Sequence, residues 1–484
     1  MMALILFILP LLTGLFILTI RPKSFWSISL ISSVLIFLAA ISACMYSSYP
    51  NFINFEIPWI SSIGVRFHLQ VEGISAILVL LSGLLYPLII LQQKSRNWSL
   101  SVYGLTLIMQ AGMNGVFMAR DAVLFYVCWE LALIPIYLIS LMYGGAGREN
   151  ITLRFFLFTV LGSLFMLAGL IYLYTHTGSG FTNRSFSHET MMYAGTYGLG
   201  EKQQVIVYAL IFLGFAVKIP IIPFHVWQPT TYTNAPYIGT MLLSGLMAKM
   251  GAFGYLFWLA PTLPLGHKFW SPVIMGLSVL TVLFAAVVAL TEKDFKSMLA
   301  WSSLSHMAMM AAGIASLKEE ALSGSVVMMF SHGLTAVGLF VVADILERHT
   351  GTTLMEKLGG IRSRNGQFAN LFLIILLGSV ALPLTSGFPG EFLMLNGIYQ
   401  YGSGWAFAAA LSVILGAVYM LRSFQKIMLG ESPLRDSSFQ GLQTSDKWVL
   451  GILCLLIILL GLFPNLILNT IKENIYQLFF SNKF

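Results

Sequence analysis

The chain of 484 residues is 57% hydrophobic and only 9% charged, against about 25% charged in an ordinary soluble domain, which excludes a water-soluble globular protein and leaves a polytopic membrane protein. Its net charge of +7 does not signal nucleic acid, because the Lys and Arg are scattered over many loops rather than clustered. Cys44, Cys128 and Cys454 form neither a metal motif nor a disulfide framework, and no phosphate-cradling glycine loop or nucleophile elbow is present, so redox or hydrolytic chemistry belongs to a partner.

Apolar runs of about 18 to 25 residues, the length of a membrane-spanning helix, recur in chain order. Residues 2–20 lack a cationic start and a small-residue cleavage site, so they read as a first helix rather than a signal peptide. Runs at 26–46 and 72–92 complete an N-terminal group, 1–97, and residues 51–70 between them alternate polar and apolar types among turn formers, the pattern of a small hairpin. Five runs follow in 98–260 (98–118, 122–143, 152–175, 204–225, 235–260) and five in 269–429 (269–290, 297–315, 320–346, 367–400, 404–429). A last run at 447–469 lies in the C-terminal segment 430–484. The expected fold is all-α, with about fourteen transmembrane helices.

With Lys218 and Lys249 set aside, alternate loops carry 16 Lys and Arg on one side and 8 on the other. The richer side is predicted to be cytoplasmic, which puts both termini in the periplasm.

Two spans carry helix breakers at membrane depth: Lys218-Ile219-Pro220-Ile221-Ile222-Pro223, and Leu382-Pro383-Leu384-Thr385-Ser386-Gly387-Phe388-Pro389-Gly390-Glu391. Such breaks are tolerated only where protein or water satisfies the freed carbonyls. An offset of 173 residues carries Lys218 onto Glu391 and Lys249 onto Arg422. Residues 98–260 and 269–429 therefore read as two inverted five-helix repeats with broken helices 7 and 12, a transporter architecture with its site near the midplane.

The ionisable residues inside apolar runs are Glu130, Lys218, Lys249, His306, His332 and Glu391, and intramembrane charge marks a functional site by default. Lys218 either serves a buried path or reaches out to the interface; Lys249 is too central for that. Glu130 either opposes Lys218, so that separating the pair pushes the lysine's proton onward, or bonds a helix end. His306 and His332, flanked by serines, are either satisfied core residues or relays that pass protons through either ring nitrogen. Glu391 would end such a path. Glu72, Asp344 and Arg422, near span ends, read as capping, loop-pairing or snorkelling residues, with Arg422 able to tune Glu391. The methionines at 307, 309, 310, 328 and 329 read as core filler. No His and acid spacing suggests a metal site.

At these residues the chain resembles the antiporter-like membrane subunits of respiratory complex I. The motifs are Phe125-Tyr126-Val127-Cys128-Trp129-Glu130-Leu131, Lys218 through Trp227, Leu299-Ala300-Trp301-Ser302-Ser303-Leu304-Ser305-His306-Met307, and Thr385 through Phe392. The broken twelfth helix carries Glu391, whereas most sister chains and the multisubunit sodium/proton antiporters carry lysine, so the resemblance is strongest to the glutamate-bearing branch. It implies fourteen helices and a polar axis in which Glu130 and Lys218 form a modulating pair, Lys249 and the histidines connect, and Glu391 ends the path. It further implies proton translocation coupled to quinone reduction, in a bacterial inner membrane. Sister membrane subunits would be partners, and NADH, FMN, iron-sulfur clusters and quinone would be bound by other chains. The alternatives are a subunit of a multisubunit cation/proton antiporter and a non-pumping membrane scaffold. One departure stands out: where the family commonly has WLPDAHTEAP, this chain has Thr230, Tyr232 and Asn234 in place of Asp, His and Glu, which removes titratable groups beside the seventh helix.

Overall fold

The computed structural model describes residues 1–46, 53–179, 184–431 and 441–481. In a bilayer every backbone polar group must be satisfied internally, so apolar runs fold as helices. The sequence does so as α1 (Met2–Ile20), α2 (Phe25–Met45), α3 (Gly73–Gln92), α4 (Leu100–Met118), α5 (Ala122–Tyr143) and α6 (Arg148–Thr175). There follow α7 (Glu201–Lys218), α8 (Trp227–Asn234), α9 (Tyr237–Leu259), α10 (Pro264–Thr291), α11 (Phe295–Ala315) and α12 (Glu319–Thr350). The chain continues as α13 (Gly366–Ser379), α14 (Gly387–Tyr401), α15 (Ser403–Met428), α16 (Thr444–Leu462) and α17 (Asn465–Phe479). Among the described residues twelve helices are long and apolar enough to cross a membrane. The run at 367–400 folds as two shorter helices, α13 and α14, and the run at 204–225 as α7 and the break after it, with the short α8 following.

Helices α9 and α12 are buried throughout their apolar cores, while α1, α2, α6, α15 and α16 form the outer layer with much of their surface left for lipid or neighbours. Between α12 and α14 the packing depends on glycine. A Cβ on Gly324 would sit 2.7 Å from the backbone nitrogen of Met394 and 2.9 Å from the carbonyl of Gly390, so a larger residue would force the helices apart. This close approach holds the first turn of α14 against the middle of the molecule.

Both helix breaks leave groups that the tertiary structure satisfies. The Trp227 indole donates to the Val217 carbonyl at 2.9 Å, and the Ile222 amide donates to Thr281 at 3.0 Å. In the second break the Ser386 amide donates to the Ile457 carbonyl at 2.8 Å, and its hydroxyl lies 2.7 Å from that of Ser331. Ala381 (φ 52°) and Leu384 (φ 74°) adopt left-handed conformations there, which side chains other than glycine avoid unless the surroundings hold them.

The hairpin read at 51–70 is present in the described part as strand β1 (Asn54–Ile60) antiparallel to β2 (Val65–Gln70), with Asn54 opposite Gln70; residues 51 and 52 lie outside the described residues. It is fastened to the membrane helices by the Arg66 amide, which donates to Asp121 at 3.0 Å. The run at 447–469 is not one helix. It divides at Phe463, because Pro464 caps the new helix α17, which buries Ile467, Ile471 and Ile475 and packs on α3 and α12.

Of its three readings Asp344 takes loop pairing, with Arg96, and neither caps nor snorkels. It is fully buried together with Asp446. Arg96 (2.8 Å), Arg348 (3.0 Å) and Gln92 (2.6 Å) donate to Asp344, and Arg348 donates to both Asp446 oxygens at 2.8 and 2.9 Å. Hydropathy missed this cluster because its members come from α3, α12 and α16 and the loop that follows α3.

Candidate functional site

Lys249 lies on α9 between two π-helical turns, Leu243–Met247 and Gly254–Leu259. Such turns shift the hydrogen-bond ladder and recur at functional sites. The side chain is fully buried; its amine donates to the Ser244 carbonyl and lies 2.7 Å from Nδ1 of His332. His332, on α12, stands ring to ring with His306 of α11, with centroids 5.4 Å apart. His306 Nδ1 is 3.4 Å from Oε1 of Glu391, in the first turn of α14. Four of the six expected residues thus form one continuous chain, Lys249, His332, His306 and Glu391, carried by four different helices.

Hydroxyl groups line this chain. Ser244 and Ser303 are 3.0 Å apart, and the Tyr419 hydroxyl donates to Ser302 at 2.9 Å. A cavity of about 10 Å³ touches both histidines with Ser302, Ser303 and Thr335, and another of about 20 Å³ touches His306, Glu391, Ser305 and Tyr419. The second has room for about one ordered water, which lets a proton hop between groups not in direct contact.

The other two expected residues form a separate group. Lys218, the last residue of α7, is 2% exposed, and its ammonium sits over the Trp129 ring, 5.2 Å from the centroid. Neither Lys218 Nζ nor Glu130 Oε1 has a hydrogen-bond partner. Among the described residues no ion pair within 4.0 Å joins them, although Glu130 acts on Lys218 electrostatically. The end of α7 abuts α9: a Cβ on Gly251 would lie 3.0 Å from Cβ of Lys218, so the two lysines occupy neighbouring segments.

The replaced segment has structural partners instead of titratable ones. Asn234 donates to the Ala146 carbonyl at 2.8 Å, Thr230 bonds back to its own helix, and Tyr232 is buried. Arg422 is exposed and makes no ion pair among the described residues. Reading the sequence missed Tyr419 and Ser302, which contribute hydroxyls where the histidines meet; the available signal was that Tyr419 lies one helical turn before Arg422.

Interrupted helices around a buried Lys/His/Glu chain are the features of the antiporter-like class of membrane proteins. Residues 119–416 match the family described as NADH:quinone oxidoreductase/Mrp antiporter, transmembrane, and the chain belongs to that family. Its relatives include the NADH-quinone oxidoreductase subunit M of Rickettsia conorii, 36% identical over 95% of this chain and 93% of the relative, and that of Rhodobacter capsulatus, 32% identical over 87% and 83%. Among solved structures, a chain of respiratory complex I from Thermus thermophilus superposes with a TM-score of 0.90 at 31% identity, covering 99% of this chain and all of that one. A chain of the Mrp complex of Dietzia shares the fold at a TM-score of 0.87 and 17% identity, covering 99% and 98%.

Proposed function

We propose that this chain is a proton-translocating membrane-arm subunit of an NADH-quinone oxidoreductase, the subunit M of its complex. The contiguous Lys249–His332–His306–Glu391 chain carries this reading: each neighbouring pair can exchange a proton directly or through one water, and at membrane depth such groups have no other ready explanation. Glu130 and Lys218 are the control element. They are close enough to interact and too far apart to be locked, so a change of field at Glu130 alters the hold on the Lys218 proton and, through the adjacent α9, the occupancy of Lys249. Moving one proton against 100 mV requires about 2.3 kcal/mol, within the range that rearranging one buried ion pair supplies.

In this reading 98–260 and 269–429 are inverted repeats flanked by 1–97 and 430–484, the face rich in Lys and Arg is cytoplasmic, and both termini are periplasmic in the bacterial inner membrane. NADH, FMN, iron-sulfur clusters and quinone act in partner subunits, and sister antiporter-like chains adjoin this one. The test is NADH-driven proton pumping and quinone reduction in membranes carrying Lys249→Ala or Glu391→Gln, with assembly of the complex verified in the same preparation. Both activities should fall together; wild-type pumping in an assembled complex would refute the relay. Sodium-dependent transport without NADH dependence would instead identify a cation antiporter.

A further inference from the structure

The Glu391 end of the chain adjoins a larger cavity of about 210 Å³, whose lining includes Glu292, Lys293, Arg422, Ser423 and Lys426. Its rim belongs to the Lys- and Arg-rich face, where α10, α12 and α15 all end. Main-chain and side-chain contacts fix that rim: the Met355 amide donates to the Lys293 carbonyl at 3.0 Å, Thr353 donates to Asp294 at 2.5 Å, and Lys293 pairs with Glu356 at 3.8 Å.

The inner wall is Tyr419, which lines both this cavity and the one that holds Glu391 and His306. A Cβ on Gly416 would lie 3.7 Å from the Tyr419 hydroxyl, so the phenol points toward the Glu391 side, where it donates to Ser302. Along α15 the lining runs from Lys426 through Ser423, Arg422 and Tyr419 to Gly416 and Ser412. That stretch rises about 21 Å at 1.5 Å per residue, over half of a hydrocarbon core about 30 Å thick. The buried Tyr419 is thus the residue common to the linings of the open polar cavity and of the cavity at the buried acid.

We propose that this cavity is a water-filled inlet from the Lys- and Arg-rich face to Glu391 and His306, and that Tyr419 is its barrier, latched by the hydrogen bond to Ser302. The proposal rests on Glu391 being part of the proton path. When the latch opens, a hydronium ion in the inlet gives its proton to the Glu391 carboxylate and is left as water. The inlet is independent of the segment 228–234, where the titratable groups of the family are missing.

The test is labelling of the intact complex by a membrane-impermeant cationic methanethiosulfonate, in vesicles of either orientation, with wild-type labelling of the native cysteines subtracted. Ser423→Cys should react from the Lys- and Arg-rich face. Gly416→Cys, on the far side of the barrier, should react slowly with Tyr419 present, faster with Tyr419→Phe, and several-fold faster with Tyr419→Ala, always from that same face. Reaction of Gly416→Cys only from the opposite face, or no acceleration in either variant, would overturn the inlet. A Tyr419→Phe variant indistinguishable from wild type would overturn the latch, and this variant keeps the test informative if Tyr419→Ala does not assemble. Because labelling does not depend on pumping, inlet-positive labelling combined with normal pumping by Glu391→Gln would sink the role of Glu391, and the purpose of the inlet with it.

Discussion

The Lys249 amine lies 2.7 Å from Nδ1 of His332. The ring carries a second nitrogen, Nε2, so a proton taken up at one can be released from the other, the behaviour of a relay. His332→Gln keeps an amide of similar size that cannot shuttle protons in this way. We expect the assembled complex to lose pumping and quinone reduction several-fold, to the extent expected of Lys249→Ala, as measured by vesicle acidification and NADH oxidation in parallel.

The Trp129 face under Lys218 gives a graded test of the control element. A cation over an aromatic ring gains about 0.5–2 kcal/mol, so Trp129→Leu should weaken the seating of Lys218 without removing its charge. Turnover should fall less than in Lys218→Ala, and Glu130→Gln should fall between the two. Equal rates in Trp129→Leu and Lys218→Ala would show that the ring, not the charge, matters.

Gly324 sets how closely α12 and α14 approach. Gly324→Ala places a methyl group against the Met394 nitrogen and the Gly390 carbonyl, and overpacking of this kind costs about 1–3 kcal/mol. The expected outcome is a lower melting temperature together with reduced pumping, since Glu391 moves away from His306. Reduced stability with unaltered pumping would show that the 3.4 Å contact is dispensable.

Arg348 bridges two carboxylates that water does not reach, Asp446 and Asp344, the second shared with Arg96. Removing one partner of a buried ion pair costs about 3–5 kcal/mol, so Arg348→Ala should sharply reduce the amount of assembled complex recovered from membranes. Arg348→Lys keeps the charge but loses the two-pronged grip on Asp446, and should recover part of the yield.

His188 lies outside the membrane-spanning helices. It stacks on Phe257 with centroids 4.4 Å apart, and its Nε2 lies 3.0 Å from the Phe257 carbonyl. Burial, with the nearby Arg120, pushes its pKa from 6.5 down to about 3. The unfolded chain then binds the proton more readily than the folded one, so the contribution of His188 is full above about pH 6.5 and declines as pH falls toward 3. His188→Gln can keep the bond to the carbonyl without titrating. Its melting temperature should decline less steeply than wild type between those pH values, as followed by thermal denaturation in detergent.

The sequence by itself determined that the chain lives in a membrane, where two of its helices break, and that Lys218, Lys249 and Glu391 are isolated from water. Hydropathy and helix breakers act locally, and Lys249, with no acid within a turn of it, declares itself without any knowledge of packing. The family resemblance was legible for the same reason, since Trp129-Glu130, Lys218-Ile219-Pro220 and Pro389-Gly390-Glu391 are local patterns. Only the tertiary structure decided which of these residues meet. Lys249 and His332 are 83 residues apart in sequence and meet because α9 packs on α12; the turn that carries Glu391 is seated where α12 and α14 touch at glycines. Likewise, Asp344 reads as an interfacial residue until helices far apart in sequence bring Arg96, Arg348 and Asp446 around it, and Tyr419 is one more apolar-face aromatic until packing sets its hydroxyl between two cavities. Hydropathy records what each residue costs in lipid, whereas hydrogen bonds between helices are fixed by shape, which no single helix encodes.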